Sequence, residues 1–237
     1  PQVLSSAASD VYKRQNMHMP TSNARTTGRS YRGMTPEQRT AQRRESFLEA
    51  GLNLFGNEGF HGATVRKICK EAGLTDRYFY ESYSSMEELL IEVYERCLQG
   101  ILQRLQASLT DIPSESFPED LIRTLLTDFF KEMEDPRVAK VCMFEAEGVS
   151  DHMHGMYNDY IRRFVMILMG ASRAYVKAWP LSDEETEVLG NAIVGGIIQA
   201  TRNWAVNDYH LSRESMVNGI MILFKGTQIL LDRSSGD

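Results

Sequence analysis

One short stretch of this chain, residues 75–81, combines side chains that can contact a nucleic acid. Its sequence is TDRYFYE, which concentrates hydroxyl, charged and aromatic groups on seven residues. Arg77 can bind a guanine edge or a phosphate, and the Tyr80 hydroxyl can donate to a phosphate oxygen. Asp76 is a poor phosphate ligand, but it can favour a helix N-terminus or accept from a cytosine amino group. These residue types predict a surface that contacts DNA.

Three positions can also bind phosphate because they open predicted helices. Thr64, Thr75 and Ser85 each precede a helical segment, and the N–H groups and dipole of a helix N-terminus attract anions. Capping alone explains these residues equally well. Arg66 either binds DNA or belongs to a solvated face, and Tyr78 either contacts a base or packs against the fourth helix. The predicted DNA-binding residues are Thr64, Arg66, Thr75, Asp76, Arg77, Tyr78, Tyr80 and Ser85.

Helices must hold these residues in place, and the sequence marks where the helices begin. Thr35 and Gln38 form a capping box that begins a first helix, and Ser85 with Glu88 begins a longer fourth one. The second and third helices are short and are separated by Gly73, which supplies the left-handed residue of a tight turn. The residues whose spacing points them inward are Leu74, Phe79 and Tyr83. This arrangement predicts a helix-turn-helix, whose second helix enters the major groove.

Residues 44–90 resemble the N-terminal domain of the tetracycline-repressor (TetR) family of bacterial transcriptional regulators. The segments FLEAGLNLFGNEGF, GATVRKICKEAGL, YFY and SYSSMEELL carry the resemblance, in the family's order and without a gap. The resemblance implies phosphate contacts for Thr64 and Tyr80. The family often has a lysine at the start of the fourth helix, where this chain has Met86. One contact of the family with the DNA backbone is therefore unassigned here. The acidic Asp76 is also unfavourable for tight binding to DNA.

Charge is divided unevenly along the chain, although the net charge is −6. Residues 25–80 carry ten basic and six acidic side chains, a local charge of +4, whereas residues 81–237 carry 14 basic and 25 acidic ones, a local charge of −11. A basic front and an acidic back suit an anionic partner at one end only.

The predicted fold class is all-α, with nine or ten helices, because no strand-like alternation with hairpin turns occurs. We expect a disordered arm at 1–34, a helix-turn-helix DNA-binding domain at 35–84, and a helical effector-binding and dimerisation domain at 85–237. Residues 1–15 resemble the translation of a sequencing adaptor, which suggests a natural start at Met17 or Met19. An ordinary disordered tail is the alternative.

Other functional features are expected to be absent. No apolar stretch is long enough for a membrane span. The three cysteines lack CxxC spacing, which argues against a zinc site and suits a reducing compartment such as the cytoplasm. His152 and His154 would point to different faces of a helix, so no metal site is expected. We also expect no cofactor.

The acidic region is expected to bind a second copy of the chain and a ligand. Two-fold dimers match palindromic operators, and apolar stripes on the last two helices suit a dimer or internal packing. The predicted interface is Ile193, Gly196, Ile197, Ala200, Ile220 and Phe224. The resemblance also implies a pocket for a small-molecule effector among the middle helices, and the Met-rich mixture of candidate residues there suits an apolar effector. The candidate lining is Met143, Phe144, Met156, Tyr157, Tyr160, Phe164 and Trp204, which can equally be core.

The leading hypothesis is therefore a dimeric, sequence-specific DNA-binding regulator, most often a repressor in this family, released by a small molecule. One alternative is an enzyme with a helical pocket, although no nucleophile–base pair or phosphate loop is visible. The other is a helical interaction module that has lost DNA binding.

Overall fold

The computed structural model describes residues 34–111, 118–146, 149–173 and 179–234. Within these ranges the chain forms nine α-helices, one short 3₁₀ helix and no β-strand, which confirms the all-α prediction. The α-helices are α1 Pro36–Glu58, α2 Val65–Ala72, α3 Asp76–Ser82, α4 Met86–Asp111, α5 Pro118–Met133, α6 Pro136–Met143, α7 Asp151–Arg173, α8 Asp183–Val206 and α9 Arg213–Ser234, and the 3₁₀ helix is Phe60–Gly62.

The chain divides into two compact units, residues 1–39 and residues 40–237. Only the last six residues of the first unit are described, at the start of α1. There Thr35 Oγ1 accepts from the Gln38 N–H at 3.2 Å, and Gln38 Oε1 accepts from the Thr35 N–H at 2.8 Å, which confirms this capping box. The predicted arm, with the suspected artefact, lies outside the described residues except for its final methionine. The predicted domain boundary at residue 84 stays a prediction.

Aromatic packing holds α1 to α3. Phe47 of α1 meets Phe79 and Tyr83 edge-on, at ring-centroid distances of 5.6 and 6.2 Å. All three residues are buried, together with Phe55 and Ile68. Edge-to-face pairs of this kind contribute about 0.5–1.5 kcal/mol each beyond their buried area. The inward orientation predicted for Phe79 and Tyr83 is therefore confirmed.

The turn between α2 and α3 has the predicted backbone. Thr64 caps α2, and its side-chain oxygen accepts from the Lys67 N–H at 3.3 Å. Gly73 ends α2 in the left-handed conformation, with φ 65°. Thr75 precedes α3 without a side-chain capping hydrogen bond, so its hydroxyl makes no cap here. The turn thus fixes the angle of α3 while one hydroxyl stays exposed at its start.

The remaining helices pack around α4, which contacts α5, α6 and α7, while α8 lies along α7 and α9 along α5. Ser182 and Glu185 form a capping box at the start of α8, and Asp135 caps α6. Helix α6 ends at Met143, and the chain turns there. None of the helices in the described ranges is both long and apolar enough to span a bilayer.

Candidate DNA-binding and ligand sites

The outer face of α2 and α3 carries most of the predicted DNA-binding residues. Seven of the eight are exposed, namely Thr64, Arg66, Thr75, Asp76, Arg77, Tyr80 and Ser85. The Tyr80 residue is 63% exposed although its ring touches the buried Phe79 edge-on. An exposed tyrosine next to an anchored phenylalanine can present its hydroxyl at a defined position.

Arg77 points away from the protein body. Its side chain is 84% exposed, and its Nε donates to the Glu81 carboxylate at 2.8 Å, one helical turn further on. Exposed ion pairs at this spacing are weak and are screened by salt. Arg77 can therefore exchange this partner for a phosphate or a base edge.

Tyr78, the eighth predicted residue, is half-buried. The guanidinium of Arg43 in α1 lies 4.5 Å from the centre of its ring. The ring therefore packs against α1, whereas the sequence suggested packing against the fourth helix as the alternative to a base contact. A cation–π contact of this kind favours holding the ring against its own protein.

Asp76 has a partner within the chain that the sequence did not predict. The Asp76 carboxylate at the start of α3 lies close enough to the buried thiol of Cys69 in α2 to affect its pKa. Burial, together with this carboxylate, raises the pKa of Cys69 to about 11. Asp76 therefore has a neighbour in α2 as well as a place on the exposed face of α3.

The start of α4 differs slightly from the predicted capping box. Ser85 Oγ accepts from the Glu88 N–H at 3.1 Å, but the Glu88 carboxylate accepts from the N–H and hydroxyl of Ser84 at 2.6 and 2.7 Å. These hydrogen bonds lower the pKa of Glu88. Met86, where the family often has lysine, is half-buried and packs on the core. An apolar residue therefore has a structural reason at that position.

An apolar cavity of about 80 Å³ lies among α4, α5, α6, α7 and α8. Its wall is almost entirely apolar atoms and includes four of the seven predicted ligand residues: Met143, Tyr157, Tyr160 and Phe164. The other three, Phe144, Met156 and Trp204, are not part of the wall. Trp204 is buried against Phe130 and Tyr209, and its Nε1–H donates to the Leu211 carbonyl at 2.8 Å. Its aromatic ring is core, the alternative that the sequence left open.

Sequence reasoning missed the part of the cavity wall that α4 and α5 contribute. Tyr94, Leu98 and Leu105 line it from α4, and Leu125 and Phe129 line it from α5. A signal was present, because the α4 residues recur at spacings of four and seven, as one face of a helix does. The same spacing is typical of any packed helix, so it does not distinguish a cavity wall from core.

The predicted dimer residues do not form one outer surface. Ile193, Ile197 and Phe224 are at most 8% exposed within the single chain, and their place in a dimer interface stays a prediction. Ala200 and Ile220 are half-buried, and only Gly196 is exposed. These side chains face the chain's own helices because α8 packs against α6 and α7 as well as α9. The exposed apolar residues of α8 and α9 include Val188, Ile222, Leu223 and Ile229, which are 50–72% exposed.

The adjacent glycines Gly195 and Gly196 of α8 are not sites of close packing against another helix of the chain. A Cβ atom added at either of them would meet nothing within 4 Å. At Gly190, by contrast, it would lie 2.6 Å from Val165 and 2.9 Å from Met169 of α7. The close helix approach is therefore within the chain, between α7 and α8.

Polar contacts join α6 to the end of α1, which we name the α6–α1 contact. Arg137 binds the Asn53 side chain and lies 3.3 Å from the Glu49 carboxylate. Lys140 Nζ donates to the Asn57 carbonyl at 3.2 Å. The backbone of Arg137 packs so closely on Gly56 that a Cβ there would overlap it. These contacts connect a helix that lines the cavity to the helix that supports α2 and α3.

Comparison with known families identifies the front of the chain. Residues 47–93, which contain α2, α3 and their turn, match the family model described as bacterial regulatory proteins, tetR family. These residues are similar to the DNA-binding part of TetR-family regulators.

Two curated relatives and one solved structure extend the similarity beyond the front of the chain. The fatty acid metabolism regulator protein of Bacillus subtilis is 19% identical over 178 residues, covering 74% of this chain and 90% of that protein. The HTH-type transcriptional repressor NicS of Pseudomonas putida is 25% identical over 144 residues, covering 60% of this chain and 65% of that protein. The structure of FadR from Bacillus subtilis, in complex with stearoyl-CoA, superposes with a TM-score of 0.62 at 19% identity, covering 76% and 96%.

These relatives are transcriptional regulators, and the structural likeness covers 76% of this chain, which is more than the front alone. Within the described residues, no group of three or more His, Cys, Asp and Glu side chains is placed to hold a metal ion.

Proposed function

We propose that this protein is a dimeric, sequence-specific TetR-family repressor that leaves its operator when an apolar ligand enters the cavity. The observation that carries the proposal is the exposed face of α3, where Arg77 and Tyr80 project from a helix anchored by the buried Phe79. An anchored helix with outward polar tips fits the major groove, where Arg can read guanine and hydroxyls can bind phosphate. Thr64 and Ser85 supply helix N-termini for flanking phosphates.

We propose a long-chain acyl thioester as the ligand class. The cavity wall is almost entirely apolar, which suits a hydrocarbon chain, since each buried methylene contributes about 0.8 kcal/mol. The relative from Bacillus subtilis is a fatty acid metabolism regulator, and its FadR structure is a complex with stearoyl-CoA. Tyr160 and Phe164 of α7 and Met143 of α6 are the residues that we propose contact the chain.

The proposed response to ligand passes through α6. Met143 lines the cavity, while Arg137 and Lys140 of the same helix hold the end of α1. A ligand that binds better to one position of α6 shifts the population toward that position. Because α1 supports α2 and α3, moving α6 changes where α3 points and lowers operator affinity.

The proposed dimer uses the exposed apolar residues of α8 and α9. Val188, Ile222, Leu223 and Ile229 present apolar surface to solvent, and such surface is expected to be covered by a partner. Two-fold pairing would align two copies of α3 with a palindromic operator. We propose a location in the bacterial cytoplasm, where a chromosomal operator would be found. We propose that the role is binding, without catalysis.

Selection from a random duplex library tests the function. We expect enrichment of a palindrome, with affinity falling steeply as salt rises because phosphate contacts release counterions. Absence of enrichment at low salt would overturn the DNA-binding proposal.

Acyl-CoA esters of increasing chain length then test the ligand class, with free CoA as the matched control that lacks the hydrocarbon. We expect operator release to improve as the chain lengthens and free CoA to have no effect. Equal release by free CoA, or none by any ester, would contradict the acyl proposal and leave DNA binding intact.

A further inference from the structure

A second cavity, of about 40 Å³, lies among α5, α7, α8 and α9. Its wall includes five buried apolar side chains, those of Ile122, Met169, Ile193, Met221 and Phe224. Among the residues that the structure describes, the wall shares none with the larger cavity. The second cavity is therefore a separate space within the C-terminal helices.

An exposed ion pair lies at the edge of the second cavity. Lys225 of α9 and Glu119 of α5 both line it, and Lys225 Nζ lies 2.6 Å from Glu119 Oε1. Arg123 Nη2 lies 3.9 Å from the same oxygen. The side chains of Lys225 and Glu119 are 49% and 44% exposed, so they mark the mouth where the cavity meets solvent. Two cations and one carboxylate give this mouth a local charge of +1.

The mouth already holds a carboxylate that a ligand can replace. An ion pair this exposed contributes about 0–1 kcal/mol, so an incoming carboxylate can take the place of Glu119 on Lys225 at little cost. Gln228, three residues after Lys225 on the same face of α9, also lines the cavity and has an amide that can donate. The hydroxyls of Ser172 and Thr227 donate instead to carbonyls of their own helices, at 2.9 Å each. The donors at the mouth therefore favour an anionic head group.

We propose that the second cavity is a binding site for a medium-chain carboxylate, with its head group on Lys225 and its hydrocarbon chain between Met169 and Phe224. The cavity has about half the volume of the larger one, which suits a shorter chain than the acyl group proposed there. Each buried methylene contributes about 0.8 kcal/mol, and the flexible side chains of Met169 and Met221 can adjust to the ligand. The site is additional to the proposed acyl site and does not depend on it.

The second cavity lies on the inner side of the proposed dimer surface. Leu189 of α8 and Phe224 of α9 line it, while the neighbouring Val188 and Leu223 are exposed on the outer side of the same helices. A ligand that changes the spacing of α8 and α9 therefore changes the surface offered to a second copy. We expect the dimer dissociation constant to change by about 5- to 150-fold, the usual range of coupling between sites. This expectation rests on the proposed function, whereas ligand binding does not.

Trp179 is a natural reporter for ligand binding at this site. It lines the second cavity, and its Nε1–H donates to Thr186 Oγ1 at 2.8 Å, which fixes the indole. Trp204, the other tryptophan of the chain, is in the wall of neither cavity. The variant Trp204→Phe therefore leaves a single tryptophan, placed at the site.

The first test is to titrate Trp204→Phe with octanoate and to follow its fluorescence, with 1-octanol as the control that has the same chain length and no charge. We expect a saturable change with octanoate and binding about tenfold weaker with octanol, which lacks the charge-assisted contact. No saturable change with octanoate, or equal binding of the two ligands, would overturn the proposal. If Trp204→Phe does not fold, titration calorimetry of the native chain makes the same comparison.

Two variants separate the second cavity from the larger one. Leu189 lines the second cavity and is half-buried, so Leu189→Phe fills it with limited strain. Ile198→Phe fills the larger cavity in the same way and is the matched control. Calorimetry should show that octanoate binding is lost in Leu189→Phe and kept in Ile198→Phe. The reverse pattern would place octanoate in the larger cavity and refute the second site.

Charge variants test the role of the mouth. Lys225→Met should weaken octanoate binding about tenfold and leave octanol binding unchanged, because only the carboxylate loses a partner. Glu119→Gln should instead tighten octanoate binding, since Lys225 loses the carboxylate that competes with the ligand. An ion pair with a purely structural role predicts no such gain. Unchanged octanoate affinity in both variants would contradict the proposed head-group contact.

A dilution series of the native chain, followed by light scattering with and without octanoate, tests the coupling to dimerisation. A dimer dissociation constant that octanoate leaves unchanged would overturn the coupling but not the binding site. A monomer under both conditions would contradict the proposed dimer instead.

Discussion

The Glu145 carboxylate accepts a hydrogen bond from the Phe60 backbone N–H at 2.7 Å, although the two residues are 85 positions apart. The bond joins the turn after α6 to the 3₁₀ helix between α1 and α2. Gly59, which precedes Phe60, has φ 80°, and a Cβ there would lie 3.2 Å from the same carboxylate. Together with the α6–α1 contact, this bond connects the C-terminal helices directly to the helix-turn-helix.

Replacing Glu145 with alanine should therefore destabilise the fold. The part-buried N–H of Phe60 would lose its acceptor, which costs about 1–3 kcal/mol. Urea unfolding measures the free energy of unfolding, and Glu145→Gln is the matched control because it keeps an acceptor oxygen. Equal stability of the alanine variant and the native chain would show that this bond contributes little.

Arg77→Ala should relax base preference at one position of each operator half-site. We expect a loss of about 1–3 kcal/mol at that position, because a bidentate base contact would be removed. The matched variant Tyr80→Phe removes only a hydroxyl, and it should weaken binding to all sequences alike. Binding to a panel of single-base operator variants separates the two results. Unchanged affinity and preference in Arg77→Ala would refute the base-reading role.

The stability of α6 should depend on pH through Asp135. Its carboxylate accepts from the Arg137 side chain and from the Arg137 N–H at 2.9 Å, and these contacts lower the pKa of Asp135. A carboxyl whose pKa is lower when folded than when unfolded stabilises the protein above its unfolded pKa, about 3.9 for Asp. That contribution disappears as the pH falls through the lower, folded-state pKa.

Urea unfolding across this acidic range should therefore give a smaller pH dependence for Asp135→Asn than for the native chain. The asparagine keeps a capping oxygen but has no charge to lose. The same pH dependence in both proteins would contradict a contribution from Asp135.

Ile222→Glu should convert the proposed dimer to a monomer. Ile222 is exposed on α9, so the charge costs nothing in the single chain but would be buried without a partner charge in the dimer. Light scattering measures the mass in solution. Met166→Glu is the matched control, because Met166 is equally exposed but lies on α7. A dimer that survives Ile222→Glu would place the interface elsewhere.

Ile198→Phe should shorten the longest acyl chain that the protein accepts. Ile198 lines the cavity but is only partly buried, so the larger ring can enter the cavity with limited strain. Titration calorimetry with acyl-CoA esters measures the shift. Phe144→Leu, which changes a residue outside the wall, should leave the chain-length preference unchanged. The opposite pattern would show that the ligand binds outside this cavity.

Local features of this chain could be predicted because they depend on neighbours in sequence. The capping boxes at Thr35 and Ser182, the left-handed Gly73 and the inward Phe79 all follow from spacing within a few residues. The cavity wall and the outer face of α8 depend on which helices surround them. Periodicity finds the apolar stripe that contains Ile193, but it does not say whether that stripe meets the same chain or another.

The proximity of Asp76 to Cys69 could not be predicted from the sequence, for a related reason. Its partner belongs to the preceding helix, and the distance between them depends on the angle of the turn. The Asp76 carboxylate, which is unfavourable for DNA binding, acts on the Cys69 thiol within the helix-turn-helix. The sequence predicts that Asp76 is exposed and acidic, but it does not identify the group that lies near its carboxylate.

Gly190 allows α8 to pack closely against α7, because Val165 and Met169 already fill the space that a side chain at this position would occupy. Helix α8 lines the cavity with Val194 and carries Val188 on its outer side. In the proposed dimer, the close packing that Gly190 allows therefore helps to set the separation of the two operator half-sites. Gly190 is remote from every residue that would touch DNA. A substitution of Gly190 would alter which operators the protein can span, even if α3 were unchanged.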